Sequence, residues 1–193
     1  MRVIAGEFRS RRLKSIPGAA TRPTTDRLRE TLFDILGPRI EGATFLDAYA
    51  GTGAVGMEAL SRGAAHAVFL ERHRKALEAI RQSLASLGVE RRATVVAGPV
   101  LVTLPKYSAD IVFLDPPYDL EREYGAVLEV LGENPPAIVV VQHSVRQSLG
   151  DVYGVLRRIR IVKQGDNELS FYAAQTEIAA RRGEDASPVR FSA

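Results

Sequence analysis

The stretch ATFLDAYAGTGAVGMEALSRG, residues 43–63, decides the fold. Its first part, ATFLDAY, is apolar until Asp47, as expected of a strand buried on both faces. Its second part turns through AGTGAVG into a segment whose pattern predicts a helix over 54–62, closed by Gly63. Downstream the alternation repeats. HAVFLE (66–71), ATVVAG (93–98), ADIVFLD (109–115) and PAIVVVQ (136–142) read as four more apolar strands. A helix over 73–87 carries Leu77, Ile80, Leu84 and Leu87 on one stripe, with Arg74, Lys75, Glu78 and Arg81 outside and Gly88 as its C-cap. A short helix is expected after the third strand, and a helix over 121–131 before the fifth. Apolar strands alternating with amphipathic helices predict an α/β fold whose sheet is covered on both faces. The last ordered piece, VLRRIRIVKQGDNELSFYAA (155–174), reads as two strands around the turn GDN, an antiparallel hairpin on the sheet edge. The expectation is a mostly parallel, seven-stranded, Rossmann-like sheet.

Upstream, RVIAG (2–6) and RRLKSI (11–16) are two β-like pieces around a polar turn. They predict a small N-terminal β-hairpin, which needs a surface to dock on because two strands alone are marginal. RPTT (22–25) follows as a Pro break with a Thr N-cap, assigned to Thr24. Next comes a helix with Leu28, Leu32, Ile35 and Leu36 on one face and Gly37 at its exit. The organisation is therefore a basic extension over 1–20, a main domain over 21–178 and a small polar tail from 179 to 193, expected to be disordered.

The composition agrees with one globular domain: 193 residues, 46% hydrophobic and 25% charged. A chain of this size buries roughly 70% of its unfolded surface without staples. The absence of cysteine excludes a disulfide framework, an iron–sulfur cluster and a thiol nucleophile, and His66, His73 and His143 form no metal-ligand spacing, so no metal is expected. No run of about 18 apolar residues and no apolar leader segment occur, which predicts a cytoplasmic protein away from membranes. The net charge of +3 is unevenly divided. Residues 1–29 hold eight basic groups against Glu7 and Asp26, a net of +6, so the remaining residues, with 18 basic and 21 acidic groups, carry −3. A slightly acidic body with a basic arm points to a polyanionic partner.

Gly51, Gly53 and Gly56 spell G-x-G-x-x-G between strand and helix, and Glu71 follows Gly51 by 20 residues. Taken literally this is a dinucleotide fingerprint, although glycines also serve any tight strand-to-helix turn and Glu71 can be a solvated strand-end acid. Asp47 separates the possible ligands. A carboxylate at that strand end repels a pyrophosphate held on the same loop, which disfavours NAD. It suits a nucleoside with an ammonium and a sulfonium in place of phosphates, which describes S-adenosylmethionine. Glu71 is placed to accept hydrogen bonds from the two ribose hydroxyls.

The fourth strand ends in Asp115-Pro116-Pro117-Tyr118. The tetrad is ordinary turn chemistry by itself. Its place is what counts, because ligands of open parallel sheets lie beyond the strands' carboxyl ends near the switch point. Asp115 and the Pro116 carbonyl are acceptors for the N–H groups of an exocyclic amine, whose lone pair they would aim at the sulfonium methyl. Tyr118 offers a face for an extruded base, worth roughly 1–3 kcal/mol.

Asp/Asn-Pro-Pro-Tyr/Phe marks the methyltransferases that act on amino groups of nucleic-acid bases. The combination here resembles the RsmD family, bacterial 16S rRNA guanine-N2 methyltransferases. It is carried by RVIAGEFRSRRL, RPTTDRLRETLFDIL (22–36), LDAYAGTGAVGMEALSRGA (46–64), FLERHRKAL (69–77), DIVFLDPPY (110–118) and QGDNELSFY (164–172). The resemblance implies a class I S-adenosylmethionine-dependent methyltransferase domain, a small RNA-contacting extension, and as substrate the partly assembled small ribosomal subunit. Carried over by position, it implies that Asp47, Tyr49, Ala50, Gly51, Thr52 and Gly53 cradle the methionine part. Glu71 would then hold the ribose, Arg72 the neighbouring adenosine surface, and Asp115, Pro116, Pro117 and Tyr118 the target amine. Two departures stand out. Where the family usually has Asn or Asp for the adenine amine, this chain reads Gly98-Pro99-Val100, which leaves Gly98 and Pro99 a backbone role. Where the family often has Glu after the fifth strand, Gln142 precedes His143, read here as a strand-end surface group.

The basic arm is either a solvated face or an RNA contact. Because the rest of the chain is net negative, Arg9, Arg11, Arg12 and Lys14 are expected to neutralise phosphates. Arg22, Thr24 and Arg27 are expected at the entrance to the pocket. A monomer is expected. The competing readings are an adenine-N6 DNA or RNA methyltransferase using the same tetrad, an NAD-dependent oxidoreductase, and a non-catalytic RNA-binding ribosome-assembly factor.

Overall fold

The computed structural model describes residues 1–15, 25–117 and 121–174. Arg22, Thr24 and Tyr118, the end of the expected extension (16–20) and the tail from 179 lie outside the described residues. The elements in order are α1 Asp26–Leu36, β1 Thr44–Asp47, α2 Ala54–Ser61, β2 His66–Glu71, α3 Arg74–Leu87, β3 Ala93–Ala97, α4 Val100–Thr103, β4 Ile111–Leu114, α5 Glu121–Glu133, β5 Ile138–Ser144, β6 Val152–Tyr153, β7 Leu156–Gln164 and β8 Asn167–Ala174.

The strands form one sheet in the order β3-β2-β1-β4-β5-β8-β7-β6. β1 to β5 are parallel, and β8 turns back antiparallel on β5. From β1 the chain goes to β2 and β3 on one side, then to β4 and β5 on the other. That reversal leaves a crevice beyond the carboxyl ends of β1 and β4. The sheet has eight strands where seven were expected. The addition is β6, whose Val152 and Tyr153 pair with Arg157 and Leu156. Two residues have no periodicity to read, so only the pairing reveals them. β5 also runs two residues past the expected end, because Gln142, His143 and Ser144 pair with Leu169, Glu168 and Asn167 of β8.

Strict alternation along the strands builds two layers. Phe45, Ile111, Phe113, Ile138 and Val140 face Leu28, Leu32, Phe33 and Leu36 of α1. Leu46, Val112, Leu114, Val139 and Val141 face Tyr124, Val127, Leu128 and Leu131 of α5. Burying each of the α1 side chains contributes roughly 1.5–3 kcal/mol. The N-cap of α1 is Thr25 and not Thr24: its Oγ1 accepts the Leu28 amide at 3.2 Å. The helix starts at Asp26, so Leu28 is its third residue and only the residue before Asp26 has the reach.

The N-terminal segment is a hairpin in outline only. Val3 N donates to Arg11 O, Ser10 N to Val3 O and Leu13 N to Met1 O, but among the described residues only Arg2 and Arg12 form a β-bridge here. Gly6 and Ser10 have φ of 80° and 68°, and these left-handed residues break the extended run on both arms. What holds the segment is packing: Val3, Phe8 and Leu13 are buried against Met57 and Leu60 of α2 and Ile80 and Leu84 of α3.

Candidate functional site

Asp47 ends β1, Glu71 ends the neighbouring β2 and Asp115 follows the neighbouring β4, so the sheet brings all three to one edge. Asp47 is 1% exposed, and its Oδ2 accepts the Gly56 amide at 3.0 Å. Burial pushes this carboxyl up to about 7; the Gly56 hydrogen bond opposes the shift and the Glu71 charge adds to it. No cation among the described residues appears among the groups acting on it. The carboxylate of Glu71 organises both loops around it. Oε2 accepts the Gly51 amide at 2.8 Å, and Oε1 accepts the Arg72 and His73 amides at 2.8 Å each. A side chain expected to wait for ribose thus also fastens the glycine loop to the start of α3.

Within that loop, Gly53 caps α2 in the left-handed region at φ 79°, and its amide donates to Ala50 O at 2.7 Å. Gly56 is required for a different reason. A Cβ there would lie 2.3 Å from Cε1 of Phe69, so its absence lets α2 press onto β2 and keeps its amide on Asp47. Thr52 is half-buried, Ala50 is buried, and the Ala50 amide donates to Leu70 O at 3.0 Å. Arg72 is exposed, with Nε 3.3 Å from His73 Nε2. At the position that departs from the family pattern, the Gly98 amide donates to Glu71 O at 3.1 Å, and Pro99 precedes α4 as its N-cap, its carbonyl accepting Thr103 Oγ1 at 2.9 Å. Neither residue brings a side-chain polar group to the site.

On the β4 side, Asp115 is half-buried, Pro116 buried and Pro117 exposed. Two consecutive residues of α5 grip this region. Tyr124, 2% exposed, donates its hydroxyl to Pro116 O at 3.3 Å, and Glu123 accepts the Tyr49 hydroxyl at 2.5 Å. Burial, and then the bond to Glu123, hold the Tyr49 phenol protonated far above its ordinary range. Sequence reading missed both α5 residues, since an exposed-looking Glu and an aromatic on a helix carry no motif.

His143 is not a surface group. It is 2% exposed; its Nδ1 lies 3.0 Å from Ser144 O, and its Nε2 lies 2.9 Å from Ser170 Oγ and 3.8 Å from Glu168. Burial lowers its pKa, which favours the neutral ring: Nδ1–H donates to the carbonyl and Nε2 accepts from the hydroxyl. The pairing of β5 with β8 covers a residue that the parallel strands alone would leave at the rim.

The basic arm divides by role. Arg9, Arg11, Arg12, Lys14 and Arg27 are exposed, and Arg11 Nη2 also donates to Ser86 O at 2.7 Å, at the carboxyl end of α3. Arg29, counted with the arm's charge, is fully buried; its Nη2 donates to Arg2 O at 2.8 Å and Asp26 Oδ1 at 2.9 Å. Its Nε lies 3.8 Å from Glu58, itself fully buried, whose oxygens accept the Ile4 and Ala5 amides at 2.8 and 3.0 Å and Arg62 Nε at 2.9 Å. Ser61 adds the Phe8 amide at 2.9 Å and donates to Ala5 O at 2.6 Å. The signal for this anchor was present in AVGMEALS: one carboxylate in an otherwise apolar helix needs an internal partner.

Among the described residues no helix is long and apolar enough to cross a membrane, and no cluster of His, Asp and Glu has the makings of a metal site. A family model described as "Conserved hypothetical protein 95" matches residues 1–173. The chain is 34% identical over 181 residues to the "Putative rRNA methyltransferase YlbH" of Bacillus subtilis, covering 89% of this chain and 98% of that protein. It is 41% identical over 119 residues to the "Ribosomal RNA small subunit methyltransferase D" of Escherichia coli K12, covering 61% of this chain and 60% of that one. The solved "Putative methyltransferase yhhF" of Escherichia coli superposes with a TM-score of 0.79 at 32% identity, over 90% of this chain and 97% of that one.

Proposed function

The chain belongs to the RsmD family, and from that membership and the geometry of the strand ends we propose that it methylates ribosomal RNA with S-adenosylmethionine, at the exocyclic N2 of a guanine in 16S rRNA of the assembling small subunit. The observation that carries the reading is Asp47: a buried carboxylate, pushed up to about 7 and with no cation acting on it among the described residues, beside a glycine loop that Glu71 holds in place. An ammonium restores the missing counter-charge, and the absence of phosphate from the ligand spares that carboxylate a like charge. Glu71 keeps acceptor capacity for ribose, while Gly98 and Pro99 contribute backbone only.

When bound, S-adenosylmethionine supplies an electrophilic methyl on a sulfonium. Asp115 and the Pro116 carbonyl accept the amine's hydrogens and fix the direction of its lone pair. The new N–C bond forms as the C–S bond breaks, and the proton leaving nitrogen passes by way of the Asp115 carboxylate to solvent. Pro116 already accepts from Tyr124, which fixes the carbonyl's direction while leaving it a second lone pair. Tyr118 serves as the stacking face for the base. The exposed Arg9, Arg11, Arg12 and Lys14 supply phosphate contacts, and Arg22, Thr24 and Arg27 are further candidates for contact with the RNA.

The test is tritiated methyl transfer to small subunits from a strain lacking the gene, followed by nucleoside analysis. N2-methylguanosine is expected, with Asp115→Ala at least 100-fold slower while S-adenosylhomocysteine still binds. N6-methyladenosine would refute the guanine assignment. Salt-dependent RNA binding without methyl incorporation would make the protein an assembly factor instead.

A further inference from the structure

Two neighbouring residues near the start of α5 reach in different directions. Glu123 accepts the hydroxyl of Tyr49, which stands two residues past Asp47 and two before Gly51 on the cofactor side. Tyr124 donates to the carbonyl of Pro116, on the amine side. The residues that would hold the methyl donor and those that would hold its acceptor are thereby tied to one rigid body. Val127, Leu128 and Leu131 pack α5 into the core, and the Tyr124 ring meets His143 edge-on at 6.5 Å and 78°, itself locked by Ser170. Neither Glu123 nor Tyr124 belongs to the glycine loop or to the tetrad.

We infer that Glu123 is a positioning residue: through Tyr49 it sets the distance between the glycine loop and the Asp115-Pro116 acceptors, and so between methyl donor and target amine. The inference rests on the function proposed above. An in-line displacement tolerates little misplacement, a shift of about 1 Å being enough for roughly a 100-fold loss. Binding of either partner alone does not need that distance to be right. The prediction is therefore a loss in kcat without a matching loss in affinity.

The experiment compares wild type, Glu123→Ala, Tyr49→Phe, the double variant and Glu123→Gln. Methyl transfer to small subunits is read at saturating RNA and S-adenosylmethionine, and S-adenosylhomocysteine affinity by titration calorimetry. Tyr49→Phe keeps the ring and Glu123→Gln keeps an acceptor, so both preserve the packing. Glu123→Ala and Tyr49→Phe should each lower kcat about tenfold or more, with affinity within about threefold of wild type. The double variant should be no worse than the poorer single one, since both remove one bond, and Glu123→Gln should recover most of the rate. Wild-type kcat in the single variants, losses that multiply in the double, or a loss confined to affinity would overturn the inference. A wild-type protein that binds S-adenosylhomocysteine yet transfers nothing to rRNA would overturn the proposed function itself, and this inference with it.

Discussion

Replacing Glu58 by Gln should release the N-terminal segment from the body of the protein. Glu58 is fully buried, and its two oxygens accept the Ile4 and Ala5 amides and Arg62 Nε, with the buried Arg29 at 3.8 Å. Gln preserves volume and one acceptor, but turns an NH2 toward a backbone amide or toward Arg62. It also leaves Arg29 with Asp26 as its only ion-pair partner among the described residues, and Asp26 is 54% exposed. Two Arg29 nitrogens, Nε and Nη1, have no hydrogen-bond partner among the described residues, so that guanidinium has no spare contacts to fall back on. Breaking one side of a buried ion pair costs about 3–5 kcal/mol. For a chain of this size that is a fall of about 10 °C in Tm. Thermal unfolding followed by circular dichroism measures it, and amide exchange locates it: Ile4, Ala5 and Phe8 should lose protection while β1 and β4 keep theirs. A Tm within about 2 °C of wild type, or unchanged protection at Ile4 and Ala5, would refute the view that this carboxylate anchors the arm.

Asp47 makes stability depend on pH. Its folded pKa of about 7 lies above the 3.8 of an ordinary aspartate, so its stabilising contribution is complete below about 4 and is lost as pH rises through 7. Asp47→Asn should flatten that part of the melting profile between pH 4 and 8 and abolish calorimetric binding of S-adenosylhomocysteine; an unaltered profile would contradict the burial argument. Gly56→Ala drives a methyl to 2.3 Å from Phe69 and should cost about 1–3 kcal/mol, with weaker cofactor binding in titrations and partial recovery on adding Phe69→Leu. Arg9→Ala and Arg12→Ala should each reduce the slope of log affinity for RNA against log salt by about 0.7 to 1, whereas a slope equal to wild type would reassign those residues to the solvated surface.

How far the sequence could be read follows from the range of the interactions involved. The helix stripes, the apolar strands and the glycine turn are local patterns, and β2 falls at His66–Glu71 as its six apolar-patterned residues predict. The tetrad and the glycine loop are also contiguous, so the candidate site was legible as two short motifs. What local patterns cannot carry is pairing between distant segments. β6 exists only because β7 passes beside it, and His143 is buried only because β8 folds back across the end of β5. The Thr cap slipped by one residue because Thr24 and Thr25 have the same side chain, and only the first helical turn distinguishes them.

The sequence alone determined the order of the helices and of every strand but β6, the turn at Gly51–Gly56 and the concentration of positive charge before residue 30, since each is a property of neighbouring residues. The tertiary structure decided how those charges are used. It drew Arg29 inward onto Glu58 and left Arg9 and Arg12 outside, and it set Glu123 against Tyr49 and Tyr124 against Pro116. Those partners lie 8 to 74 residues apart along the chain, and an ion pair or a hydrogen bond depends on separation in space, which only the folded sheet brings below about 4 Å.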